Sequence, residues 1–68
     1  MSTITEQVQD SILTVWVQAL EAAALEYTDA HNDELEDKAT AFTVERYTSL
    51  GYDRMDIVNA CAPRRSEA

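Results

Sequence analysis

The apolar positions near the start of the chain recur at helical spacing. From Thr3 to Tyr27, the residues Ile4, Val8, Ile12, Val15, Ala19 and Ala22 follow at intervals of three or four, as one helix face requires. A second stripe of Leu13, Val17, Leu20, Ala24 and Tyr27 runs beside it. With Trp16 added, the middle of this helix is apolar around much of its circumference. One partner helix leaves part of such a surface uncovered. The pattern therefore predicts a first helix over about 3–27 that is buried on two sides, by a helix of the same chain and by a second subunit. The run Ala22-Ala23-Ala24 allows close approach there.

Polar residues interrupt the pattern from Thr28 to Asp33, which marks a helix–helix connection with Asn32 or Thr28 as the candidate cap. A second helix is expected over about 32–50. Its first turn carries Asp33, Glu34 and Glu36, which suit the positive end of the helix dipole. Its apolar face is predicted to be Leu35, Ala39, Phe42, the aliphatic stem of Arg46, and Leu50, with Val44 and Tyr47 flanking. Leu50-Gly51-Tyr52 then reads as a left-handed glycine stop, followed by an aromatic placed to fold back on the last turn. Asp53 caps a third, short helix over about 54–61, with Asp56 three residues on as in a capping box. Met55, Val58 and Cys61 give this helix a buried edge, and Pro63 is expected to end it. The expected fold class is all-α: a helical hairpin plus a short third helix, one domain over residues 1–62 with a flexible tail at 63–68, assembled as a homodimeric helical bundle.

Size supports the second subunit. A chain of 68 residues buries only about 60% of the surface its unfolded form exposes, so its core is marginal. The lone cysteine, Cys61, rules out an intrachain disulfide and fits a reducing compartment. Self-association is the simplest remaining support. The opening Met1-Ser2-Thr3 lacks the basic and long apolar regions of a signal peptide, and no apolar run approaches a bilayer span. A cytoplasmic protein without membrane contact is expected.

Charge changes the picture most. The formal net charge is -8, and residues 1–37 hold nine carboxylates with no lysine or arginine. A field of one sign calls for a partner of the other, here a basic protein surface. Asp29, Asp33, Glu34, Glu36 and Asp37 make the candidate acidic patch at the hairpin tip, with Glu26, Glu21 and Asp10 extending it along the first helix. Core and dimer contacts are assigned to Ile12, Val15, Trp16, Ala19, Leu20 and Phe42.

Candidates for chemistry are few. Asp29-x-His31-x-Asp33 has the spacing of the first calcium-loop ligands, but Glu34 stands at the turn-glycine position and Thr40 at the bidentate-glutamate position. A loop histidine that caps or is solvated is the plainer reading. Cys61 has no CxxC neighbour and reads as a buried thiol. With one glycine there is no phosphate-cradling loop, and no nucleophile–base arrangement stands out. No enzymatic activity, cofactor or metal is expected. The stretch Leu50-Gly51-Tyr52-Asp53-Arg54-Met55-Asp56-Ile57-Val58 resembles the Asp-Ser-Leu region of acyl carrier proteins, but Arg54 stands where their phosphopantetheine-bearing serine would be. It also resembles the loop and following helix of ubiquitin-associated domains. The capping pattern Leu-Gly-aromatic-Asp generates such a joint by itself.

Three function classes follow. The leading one is a non-enzymatic binding protein whose acidic face docks on a basic protein surface as inhibitor or adaptor. A phage or plasmid product directed at a host nucleic-acid-handling protein is one such case, and nucleic-acid mimicry by the carboxylates is a sharper form of it. The second is an assembly subunit that uses the two-sided first helix. The third, direct nucleic-acid binding around Gly51, is disfavoured by the net charge. A purely solubilising role is the commoner meaning of charged helix faces.

Overall fold

The computed structural model describes residues 4–65, with side chains through Ala62. Three helices, α1 (Glu6–Glu26), α2 (Asn32–Ser49) and α3 (Arg54–Arg65), account for most of it, and no strand occurs among the described residues. Thr5 starts α1. Its backbone is extended and its hydroxyl accepts the Val8 N–H at 3.2 Å, satisfying one of the donors that a helix start leaves open. With neither glycine nor proline to interrupt it, α1 runs unbroken to Glu26.

The chain reverses over residues 27–31, where the Ala30 N–H donates to the Tyr27 carbonyl at 3.1 Å. The N-cap of α2 is His31, in extended conformation and without a side-chain capping bond, so neither Thr28 nor Asn32 plays the expected role. Asn32 is already helical. The first turn is favoured instead by the charges of Asp33 and Glu34.

The end of α2 follows from one residue. Gly51 adopts φ +104°, its N–H bonds the Thr48 carbonyl at 3.0 Å, and the Tyr52 N–H returns to the Tyr47 carbonyl at 3.2 Å. This paired arrangement is a Schellman stop, and its usual apolar contact is present: the rings of Tyr47 and Tyr52 lie 5.9 Å apart at 60°. Asp53 then caps α3, its carboxylate accepting the Met55 N–H at 3.1 Å. Pro63 does not end α3, which continues to Arg65. A proline's fixed φ is itself helical, but past the first turn it removes a backbone bond and crowds the carbonyl four residues back, so α3 carries Pro63 at a local cost. Of the expected flexible tail, residues 63–65 are therefore helical and 66–68 lie outside the described residues.

Ile12, Trp16, Ala39, Val44, Tyr47, Ile57, Ala60 and Cys61 form one buried cluster drawn from all three helices. Ile12 and Ile57 are fully buried, each contributing about 1.5–3 kcal/mol by removal from water. The inward face of α2 differs from the one its apolar residues suggested. Leu35, Ala39, Thr40, Thr43, Val44 and Tyr47 are buried, whereas Phe42 is 54% exposed and Leu50 68% exposed. The helix is turned by about one residue because the two threonines are tolerated inside. Each hydroxyl donates to the carbonyl one turn back, Thr40 to Glu36 and Thr43 to Ala39, both at 2.8 Å. Phe42 is accordingly not a residue of the intrachain core. On α3 the buried edge is Ile57, Ala60 and Cys61, while Met55 is 61% exposed.

Three side-chain bonds tie the helices together. Trp16 Nε1 donates to Thr40 Oγ1 at 2.9 Å, and the Ser11 and Tyr47 hydroxyls share a bond of 2.7 Å. Gln9 Nε2 donates to the Ala60 carbonyl at 2.8 Å, closing α1 onto α3. No buried side-chain nitrogen or oxygen among the described residues lacks a partner. The principal extents are 38 × 25 × 17 Å, and the 17 Å dimension leaves no room for three layers of helices about 10 Å across. The hairpin is one layer, and α3, packed on both its helices, is the other.

Candidate functional site

The connection that joins α1 to α2 also gathers charge. Residues 21–37 carry Glu21, Glu26, Asp29, Asp33, Glu34, Glu36 and Asp37 without a lysine or arginine among them. All are exposed except Glu36, which is half-buried. Glu26, Asp29 and Glu34 line a single shallow depression with Tyr27, Thr28 and Ala30. Asp37 lies round the helix, in the seam between α2 and α3 with Glu45 and Arg54. Asp10 lies apart as well, on a stretch of α1 with Leu13 and Val17.

Local energetics oppose part of this arrangement. Asp33 and Glu34 stand at the positive end of the α2 dipole, where a carboxylate gains about 0.3–1 kcal/mol. Glu26 stands at the negative end of α1, whose last turn holds no basic residue, and loses a comparable amount. Tyr27 lies beside that carboxylate. A hydrogen bond with Glu26, then the Glu26 charge, then slight desolvation hold its hydroxyl proton above the ordinary tyrosine range. The ammonium of Lys38 lies 4.3 Å from the centre of the same ring, a cation–π contact.

A second surface lies on the side of the hairpin that α3 does not cover. An open apolar cleft of about 440 Å³ runs between α1 and α2, floored by Val15, Ala19, Ala22 and Ala23, with Phe42 projecting beside it. Lys38 and Arg46 border it from α2, Glu26 and Tyr27 from the end of α1, and no residue of α3 contributes. Of the six residues assigned to core or dimer contacts, Ile12 and Trp16 are buried within the chain. Val15 and Ala19 are half-buried and line the cleft, Leu20 is half-buried against the core, and Phe42 stands out from it. The sequence pattern places Arg46 and Tyr27 on apolar helix faces, and the two-sided apolar pattern of α1 with its alanine run signals this cleft, whereas the contribution of Lys38 is not apparent from the sequence.

Among the described residues, no group of three or more His, Cys, Asp or Glu side chains is placed to hold a metal ion, and no helix is long and apolar enough to cross a membrane. Comparisons with protein-family models, with curated proteins and with solved structures found no match to this chain. Residues 50–58, which carry the likeness to carrier and ubiquitin-associated domains, form the Schellman stop and the Asp53 cap.

Proposed function

We propose that this chain is a non-enzymatic, cytoplasmic binding protein, acting as a homodimer, whose acidic hairpin end docks on a basic surface of another protein as inhibitor or adaptor. A phage- or plasmid-type inhibitor of a host nucleic-acid-handling protein is the form we favour. The observation that carries the reading is the convergence of Glu26, Asp29 and Glu34 on one exposed depression at the joint of two helices. Glu26 adds to the charge gathered there, although it stands against the α1 dipole and is hydrogen-bonded with Tyr27.

The test uses tagged protein incubated with host-cell lysate, eluted by stepwise salt and read by mass spectrometry, alongside the triple variant Asp29→Asn, Asp33→Asn, Glu34→Gln. A specific protein released at moderate salt and lost by the folded variant is expected, since screening shortens from about 8 Å at physiological ionic strength to about 3 Å at 1 M. If that protein binds nucleic acid, mimicry of phosphates is the sharper description. Retention of the same partner by the variant through high salt would sink the proposal in favour of an assembly subunit.

A further inference from the structure

We propose that the cleft between α1 and α2 is an interface between two copies of this chain, packed face to face about a twofold axis near Ala19 and Phe42. The proposal rests on the homodimeric part of the preceding reading and shares Glu26 with its acidic end, whose Asp29, Asp33 and Glu34 lie outside the cleft. A twofold contact requires one surface to complement itself, with residue i meeting residue j and j meeting i. This cleft does so in shape, and its carboxylate and one of its two cations stand at opposite ends. It holds a knob, the exposed Phe42 ring, beside a hole floored by Ala19, Ala22 and Ala23, small residues that let another helix approach. Two such knobs and holes interlock when one copy is turned over the other.

The charges are arranged along the cleft in the same sense. In the antiparallel hairpin Arg46 lies toward the Val15 end of the cleft and Glu26 at the other end beside the turn, with Ala19 and Phe42 between them along their helices. Val15 and Glu26 are eleven residues apart on α1, about 16 Å at the helical rise. Rotation by half a turn about the middle exchanges the ends, so Glu26 of each copy meets Arg46 of the other, twice per dimer. Lys38, at the Glu26 end, is held over the Tyr27 ring. The interface would also cover the largest aromatic surface that α3 leaves exposed.

The measurement is mass by light scattering and sedimentation over a concentration series, with helical circular dichroism as the fold check. Wild type is expected to be a dimer. Phe42→Asp is expected to weaken it by about 30-fold or more, as for a central aromatic anchor, while Leu25→Asp, at an 82% exposed position of α1 outside the cleft, leaves it intact. Should Phe42→Asp lose its helical signal, Ala22→Glu, on the exposed cleft floor, serves as the second disrupting variant. Glu26→Arg and Arg46→Glu are each expected to weaken the homodimer, and an equimolar mixture of the two to restore a dimer. A wild-type dimer that survives both folded disrupting variants would overturn the cleft and leave the dimer standing elsewhere. A wild type that stays monomeric to about 1 mM would overturn both, without touching the acidic-end proposal, which the salt-eluted binding test judges separately.

Discussion

Thr40 and Thr43 are both buried on α2, yet their hydroxyls do different work. Thr43 donates only to the Ala39 carbonyl, which the helix already pairs with a backbone N–H. Thr40 donates to Glu36 and also accepts the Trp16 indole N–H, so its hydroxyl is used in both directions. Thr40→Val should therefore cost about 1–3 kcal/mol by stranding the indole N–H in the core. Thr43→Val, which strands nothing, should cost about 0.5 kcal/mol or less. Urea unfolding of the two variants checks this, and equal losses would refute it. These residues also explain why the α2 face was misread. Threonine counts as polar in an apolar pattern, so the stripe was drawn through Phe42 and Leu50, which the fold leaves exposed. The missed clue was Trp16: a buried indole needs an acceptor, and the facing helix had to supply one.

At the scale of the element, the two ends of α2 differed in how plainly the sequence announced them. Its stop was legible because the geometry admits almost nothing but glycine: Gly51 has φ +104° and Tyr52 folds its ring against Tyr47. No atom lies within 4 Å of where a Cβ on Gly51 would sit, so the strain on substitution is confined to the backbone. Gly51→Ala should then lower stability by about 1–2 kcal/mol, with Gly51→Asn milder. For a chain of this length each kcal/mol should appear as roughly 4–8 °C in a thermal melt. An unchanged midpoint would mean that the α2–α3 joint relaxes into another turn. The start of α2 was less legible, because His31 caps with its backbone and without a side-chain bond. The end of α3 misled in another way: Pro63 disfavours helix by local rules, yet α3 continues to Arg65.

At the scale of the whole molecule, the three helices and the hairpin were readable from periodicity and sparse punctuation, whereas the division of its surface was not. Periodicity shows that α1 is apolar on more than one side, but which side α3 covers depends on contacts such as Gln9 to Ala60, 51 residues apart. Once α3 is placed, the cleft beside Phe42 and the carboxylates at the turn become two surfaces that meet at Glu26 and Tyr27, one suited to apolar packing and one to long-range attraction. The same tie has a kinetic consequence. Cys61 is fully buried and is the single thiol of the chain, so a thiol reagent reaches it only when α3 lifts from the hairpin. Its labelling rate therefore counts those openings directly. Removing the Gln9–Ala60 bond with Gln9→Met should speed labelling by about 2- to 10-fold with little change in the slower global unfolding rate. Parallel acceleration of both rates would mean that the third helix and the hairpin come apart only together, as a single cooperative unit.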